Sequence, residues 1–396
     1  MGQSVSIPTA ASVAGMQEAV KVKTIPWYVW CFFAATISAV IGGVWDISWH
    51  KSIGRDSFWT PAHMMIYLCG VLAGLGSAYL ILSTTWNQRA PLRDTSVTMW
   101  GFRGPLGAFI GAWGGMAMLV SAPFDDWWHS AYGLDVKVLS PPHVVLILGI
   151  LAIRLAALVL TLGEMNRAEG DLRRSLHRLF LFIAAMWLGG GMGMFLERIS
   201  RNFMHSASFY MIIAALPVLF LIAVNHASGA RWAATKTAAI LACTSLLFLW
   251  IFPLFPAEPK LGPVYHKITH MIPASDFPLL ILFPAIALDF VRQRTRQWSL
   301  WRSALVAGPV FLAVFVAVQW PFANFLISPA ARNWFFGTHY VPFFVSPEAD
   351  YVRGVFTQVE ATAVEFLAKM SLAFVLSVVS ARVGLGWGEW MTRVRR

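Results

Sequence analysis

Long apolar stretches recur along nearly the whole of this sequence and constrain its fold more than any other feature. Each holds about 18 or more mostly apolar residues, the length that predicts a helix crossing a membrane. They lie near residues 26–44, 61–83, 100–121, 142–163, 176–196, 207–224, 234–252, 274–291, 303–322 and 360–382. Of the 396 residues, 12% are charged, about half the fraction typical of a soluble domain. The sequence therefore predicts an all-α polytopic membrane protein with about ten transmembrane helices.

The basic residues follow the connections between these stretches. The net charge of +11 would by itself fit a nucleic-acid partner. Lysine and arginine collect instead in every second connection, for example in 292–302, which the positive-inside rule places in the cytoplasm together with both termini. The connections predicted on the other side are 45–60, 122–141, 253–273 and 323–359. The basic excess thus reflects topology, and we predict membrane lipid rather than nucleic acid as a partner.

The domain organisation follows from the same pattern. Residues 1–25 are polar and lack the apolar core and cleavage site of a signal peptide, so they are predicted as a cytoplasmic segment. Residues 26–163 hold the first four spans, and residues 164–396 hold the remaining bundle, with a long outer loop at 323–359. All three cysteines fall inside predicted spans, which argues against a disulfide framework. The predicted location is a bacterial-type inner (plasma) membrane.

Two polar segments of the same design interrupt the first four spans. They read WDISWHKSIGRDSFWTPAH and FDDWWHSAYGLDVKVLSPPH, and they align with a single one-residue insertion. The matched pairs are Asp46 with Asp125, Trp49 with Trp128, His50 with His129, Gly54 with Gly133, Asp56 with Asp135, and His63 with His143. Because each segment lies between two spans, the first four spans are predicted to be a duplicated helical pair.

The spacing within each unit suits metal binding. Asp46 and His50 are four residues apart, so they share one face of a helix end. His63 follows a proline at a position compatible with the start of the returning helix, which brings it level with that pair. Two imidazoles and one carboxylate form a set that suits copper, iron or zinc. A duplicated structural cap would also repeat, but a metal site is the favoured interpretation.

The other polar and aromatic residues of the units are predicted to support the ligands. Asp56 and Asp135 are expected to orient ligand imidazoles or to cap the second helix of each pair, two roles that are compatible. Trp49 and Trp128 fit the aromatic belt at the membrane boundary and are expected to keep water from the site.

The first ligand set resembles a known copper motif. The D-x3-H-x12-H spacing of Asp46, His50 and His63 is similar to the motif in the C subunit of particulate methane and ammonia monooxygenases. The resemblance covers about residues 40–150 and implies that these three residues bind one copper ion. Iron is the alternative metal, because two histidines and one carboxylate are also the facial set of non-haem iron oxygenases.

The second ligand set extends the resemblance. The family's C subunit carries a second triad with spacings x3 and x13, in which asparagine takes the place of the carboxylate. Asp125, His129 and His143 have that spacing, with aspartate at the first position. The resemblance therefore implies a second metal site beside the first.

Residues 176–396 contain no clear third copy, but they offer one further candidate cluster. VYHKITHMIPASDFP places His266 and His270 four residues apart, with Asp276 shortly after. These residues would form an additional metal or proton-relay position, or simply a short interfacial helix whose histidines face water. The interfacial interpretation is favoured.

The resemblance implies a copper-dependent membrane monooxygenase, or a subunit of one, that oxidises a small apolar substrate with dioxygen. The partners implied are other monooxygenase subunits, including a cupredoxin-like chain, in a homo- or hetero-oligomer. Two alternatives stay open from the sequence. One is a protein of metal transport or acquisition, and the other is a structural subunit of a respiratory complex whose polar clusters only cap helices.

Overall fold

The computed structural model describes residues 24–54, 56–133, 139–260, 268–337 and 357–395, and these are almost entirely helical. The ten α-helices of the described residues are α1 (Trp27–Ser52), α2 (Pro61–Trp86), α3 (Leu106–Tyr132), α4 (Pro141–Arg167), α5 (Gly170–Gly193), α6 (Ala207–Ser228), α7 (Ala233–Ile251), α8 (Leu282–Arg294), α9 (Leu300–Leu326) and α10 (Ala363–Arg393). A small antiparallel hairpin, β1 (Val97–Met99) and β2 (Phe102–Gly104), connects α2 to α3. All helices except α8 are long and apolar enough to cross a membrane. The predicted all-α polytopic fold is confirmed.

Both ends of the described chain lie at the same end of the helix bundle. The Tyr28 hydroxyl at the start of α1 donates a hydrogen bond to Glu164 at the end of α4. Asn166 of α4 donates to the Met391 carbonyl, near the end of α10, at 2.9 Å. We call this the Trp27 end of the bundle and the opposite one the Ser52 end. The charge pattern predicts that the Trp27 end is cytoplasmic.

The span predicted near 274–291 differs from the others. Its helix, α8, has 13 residues, so it is about 20 Å long, whereas a bilayer core is about 30 Å thick. The residues before it, 268–281, form no helix. Pro273 and Pro278 lie in that stretch, and proline lacks the backbone N–H that a helix needs. The predicted ten helical spans are thus nine helices in the described residues, plus a broken passage.

The broken passage nevertheless runs from one end of the bundle to the other. At the Ser52 end, the backbone N–H of Ile272 donates to the Ser52 hydroxyl at 2.7 Å. At the Trp27 end, the backbone N–H of Thr235 at the start of α7 donates to Asp289 of α8 at 2.8 Å. Non-helical backbone at membrane depth is tolerated only where protein surrounds it. The contacts with α1 and α7 supply that protein environment.

Small residues let neighbouring helices approach closely, as is common in membranes. A Cβ atom added at Gly308 of α9 would overlap the Ser377 carbonyl of α10. We therefore expect Gly308→Ala to lower the free energy of unfolding by about 1–3 kcal/mol, the usual cost of overpacking. Thermal unfolding of the purified protein in detergent would measure the change.

Gly191→Ala in α5 is the matched control. An added Cβ there would have nothing within 4 Å, so the better helix propensity of alanine should stabilise the fold by about 0.5–1 kcal/mol. Equal effects of the two substitutions would contradict close packing at Gly308.

Candidate metal centre

In both polar segments the preceding helix ends, and the following helix begins, in the same way. The backbone turns into the left-handed region just after α1, at Gly54 (φ +90°), and just after α3, at Gly133 (φ +88°). This conformation favours glycine, which has no Cβ to clash. α2 and α4 then each begin at a proline, Pro61 and Pro141, whose missing N–H has no helical partner at that position. Both connections thus start at a left-handed glycine and end at a proline that begins the next helix. The aligned side chains of the two hairpins therefore lie at the Ser52 end.

Four side chains converge between α1 and α2, and we call them the Asp46 cluster. His63 Nε2 lies 3.1 Å from Asp46 Oδ1 and 3.0 Å from Asp56 Oδ2. His50 Nε2 lies 3.3 Å from Asp56 Oδ2 and 3.9 Å from Asp46 Oδ1. His50 is the most accessible of the four, with 44% of its side chain exposed against 17–22% for the others. Both imidazoles thus face both carboxylates.

These separations suit donors that share one ion. With bonds of about 2.1 Å, two ligands lie about 3.0 Å apart at a right angle and about 3.4 Å apart at the tetrahedral angle. The nitrogen-to-oxygen distances of the Asp46 cluster span 3.0–3.9 Å. The nitrogen-to-oxygen separations are therefore compatible with a shared metal ion.

Burial within the Asp46 cluster also supports the binding of a cation. Asp46 Oδ1 is shielded from solvent and accepts no well-aligned hydrogen bond from the described residues, although His63 Nε2 is close. Burial alone would favour the neutral form of Asp56, but hydrogen bonds from His50 and His63 hold the pKa of its carboxyl well below the ordinary value. Asp56 is therefore a carboxylate, the form that binds a cation.

Asp56 lies closer to the centre of the cluster than the sequence pattern indicated. The pattern predicts that it orients a ligand or caps α2. Its carboxylate lies directly against both imidazoles, as an orienting residue would, and Asp46, His50 and Asp56 also offer ligand atoms within 4.8 Å of one another. The signal in the sequence was the repetition of this aspartate in both segments.

The second hairpin forms a related group, the Asp125 cluster. His129 Nε2 and His143 Nε2 each lie 3.5 Å from an oxygen of Asp125. His129 Nδ1 lies 3.3 Å from the Gly133 carbonyl, which can only accept, so Nδ1 carries the proton and Nε2 is left for the cluster. Metal-binding histidines are commonly oriented by such a bond. Asp135, the counterpart of Asp56, lies outside the described residues.

Tyr67 is a neighbour of the site that the sequence pattern did not reveal. It lies one helical turn after His63 on α2, with the two ring centroids 6.0 Å apart. Its ring therefore lies beside the Asp46 cluster. Its counterpart in the second hairpin is Ile147, so the repeat carried no signal. Only the four-residue spacing from His63 could have indicated it.

The two tryptophans predicted to shield the site are both half-buried. Trp128 packs against Tyr132 on its own helix, with ring centroids 4.5 Å apart, and contacts Phe124 edge to face. Trp128 therefore belongs to an aromatic group on α3 beside the Asp125 cluster. Trp49 lies on α1 next to His50.

The additional cluster considered in the second half of the chain is not assembled in the described residues. His270 is exposed, and its Nδ1 lies 3.0 Å from the Thr269 hydroxyl. Asp276 instead pairs with the buried Arg201, whose Nη2 donates to Oδ1 at 2.7 Å and whose backbone N–H donates to Oδ2 at 3.1 Å. His266 lies outside the described residues. The two groups of metal-binding type found in the described chain are those of the two hairpins.

Comparisons of the chain with protein-family models, with curated proteins and with solved structures found no match. The fold and the two clusters therefore define the class on their own. The protein is a membrane-embedded helical protein with two groups of side chains that could hold a metal ion.

Proposed function

We propose that each hairpin cluster binds copper and that the protein is a subunit of a membrane monooxygenase acting on a small apolar substrate with dioxygen. One observation carries the proposal. In one helical hairpin His50 and His63 each lie 3.0–3.9 Å from both Asp46 and Asp56, and in the second hairpin His129 and His143 each lie 3.5 Å from Asp125. The step from metal to copper and oxygen rests on the resemblance of the ligand spacing.

The chain's own residues have definite tasks in this proposal. His50 and His63 supply nitrogen ligands, and Asp46 and Asp56 balance the charge of the ion. The Gly133 carbonyl holds His129 with Nε2 turned to the second site. When bound, copper supplies the activation of dioxygen. The aromatic side chains around Trp128 limit the access of water to the second cluster.

The membrane and other chains supply the remaining components. An apolar substrate partitions into the bilayer and reaches the Ser52 end laterally. The electrons come from a partner, for which a cupredoxin-like subunit of the same assembly is the proposed source. The protein therefore functions as part of a homo- or hetero-oligomer.

Iron is the second candidate metal, and Asp56 favours it. With Asp56 the first cluster holds two nitrogen donors and two carboxylates. Carboxylates suit iron and other harder ions better than they suit reduced copper, and two histidines with a carboxylate form the set of non-haem iron oxygenases. Metal analysis decides between the two.

Metal content tests the proposal directly. Protein purified from membranes should hold about two copper ions per chain, and His50→Ala and His129→Ala should each lower the content to about one, because a ligand of one cluster is lost. Mass spectrometry of the digested protein measures copper and iron together. His270→Ala is the matched control, since that histidine is exposed at the same end and outside both clusters.

The outcomes separate the alternatives. Unchanged metal content in both ligand variants would contradict metal binding and favour a structural subunit. Metal loss together with loss of oxygen-dependent substrate turnover would support the monooxygenase. Metal loss with unchanged turnover would assign the metal a non-catalytic part, as in metal acquisition.

A further inference from the structure

A partly open cavity of about 330 Å³ lies between the helices, and none of the two clusters' ligands lines it. Its walls come from α1, α4, α5, α7 and the broken passage, and they are mostly apolar, as at Val44, Ile150 and Phe248. The volume is at the lower limit of small-molecule pockets, roughly 300–1,000 Å³. This volume suits an occupant with one short apolar chain.

Arg154 brings a positive charge to this largely apolar space. Arg154 of α4 lines the cavity, and 6% of its surface is exposed. Its Nη1 donates to the Met186 carbonyl at 3.1 Å, while its buried Nε has no hydrogen-bond partner among the described residues. Guanidinium remains charged in proteins. A charged donor is thus left partly unsatisfied at the cavity wall.

The fold makes room for this side chain. A Cβ atom added at Gly190 of α5 would overlap Nη1 of Arg154. A larger residue at position 190 would displace the guanidinium from the cavity wall. The position of the Arg154 guanidinium on α4 thus depends on the glycine at position 190 of α5.

The neighbouring acid does not neutralise Arg154. Asp276 also lines the cavity, but its carboxylate pairs with Arg201 at 2.7 Å. Lys51, which donates to the Ala274 carbonyl at 2.6 Å, adds a second positive charge beside Asp276. In the described part of the chain, Arg154 forms no ion pair of its own. The cavity therefore combines the positive charge of Arg154 with mostly apolar walls.

We propose that this cavity binds an amphipathic anion, a single apolar chain whose carboxylate or phosphate head pairs with Arg154. A neutral head group would leave the buried charge uncompensated, whereas an anion supplies both the counter-charge and the acceptors. A planar guanidinium pairs with carboxylate or phosphate oxygens through two parallel hydrogen bonds. The apolar walls take the chain. This proposal does not depend on the metal clusters.

Equilibrium binding of radiolabelled laurate to the full chain in phosphatidylcholine nanodiscs tests the proposal. We expect saturable binding of one laurate per chain. Dodecyl phosphate should compete, and its strength relative to laurate separates a phosphate from a carboxylate ligand. Dodecanol and dodecyltrimethylammonium, with the same chain and a neutral or cationic head, should compete at least tenfold more weakly.

Variants connect the binding to the cavity. Arg154→Met should weaken laurate binding at least tenfold, and Arg154→Lys should retain part of it. Ala242→Phe, which fills the cavity and leaves Arg154 in place, should also weaken it. Arg382→Met is the matched control, because Arg382 lies on α10 over the Trp301 ring and outside the cavity.

Two results would overturn the proposal. Dodecanol competing as well as laurate, or Arg154→Met binding laurate as tightly as the unsubstituted protein, would overturn the proposal. If Arg154→Met does not fold, the head-group series and Ala242→Phe still decide. Copper and iron content is measured on the same samples and should not change in Arg154→Met. A loss of metal without a loss of laurate binding would contradict the separation of the two sites.

Discussion

We expect Asp56→Ala to empty the proposed metal site of the Asp46 cluster as completely as Asp46→Ala. The Asp56 carboxylate lies 3.3 Å from His50 Nε2 and 3.0 Å from His63 Nε2, the separations of a shared ligand. We expect metal affinity at this cluster to fall more than about 100-fold, beyond the 10–100-fold loss typical of a residue that only orients a ligand. The total metal content should fall from about two ions per chain to about one. Competition with a chelator of known affinity measures the change.

Two further variants show what Asp56 contributes. Asp56→Asn keeps one oxygen donor and removes the charge, so its effect should be intermediate. Asp126→Ala removes an exposed acid that neighbours the Asp125 cluster and is not a member of it, and metal content should not change. A loss of about 100-fold or less in Asp56→Ala, with the unfolding temperature preserved, would return Asp56 to the orienting role.

The parts of the site that could be predicted from sequence are those with local signals. Asp46 and His50 lie one turn apart on a helix, and His63 follows a proline at the start of the next one. An antiparallel return of α2 is then sufficient to bring the three together. The position of Asp56 depends instead on the path of residues 53–60, where no periodicity indicates a direction. Its repetition as Asp135 marked it as important without showing why.

The broken passage shows where composition stops being informative. An apolar stretch indicates burial in a membrane or in protein, but it does not determine the backbone conformation. Proline residues prevent a helix before α8, and the replacement contacts come from distant parts of the chain. Ser52 and Ile272, for example, are 220 residues apart. Such a pairing has no signature in a single sequence.

The cavity could not be predicted for the same reason. Arg154 is one arginine within an apolar span. The sequence of such a span does not distinguish a position that faces lipid from one that faces protein or a cavity. Gly190, which makes room for it, lies 36 positions later in a run of three glycines. Only the packing of α4 on α5 brings the two together.

Asp289→Ala will destabilise the protein by about 3–5 kcal/mol, because it leaves several buried donors without an acceptor. Asp289 is fully buried on α8 and accepts four hydrogen bonds. They come from the Asn225 amide at 2.6 Å, the Ala234 N–H at 3.3 Å, and the Thr235 N–H and hydroxyl at 2.8 and 2.6 Å. α7 has no capping side chain of its own at its N-terminus. Asp289 therefore caps α7 from a helix more than 50 residues away.

The size of the loss follows from the number of donors left without a partner. Each buried donor without an acceptor costs about 1–3 kcal/mol, and the helix N-terminus also loses a stabilising negative charge. Asp289→Asn retains an acceptor and should cost less than half as much. Asp171→Ala, at an exposed aspartate in the first turn of α5, should change the free energy of unfolding by no more than about 0.5 kcal/mol. Because Asp289 lies at the Trp27 end, its folded variants should keep their metal. Metal loss at unchanged stability would mean that the two ends of the bundle are coupled.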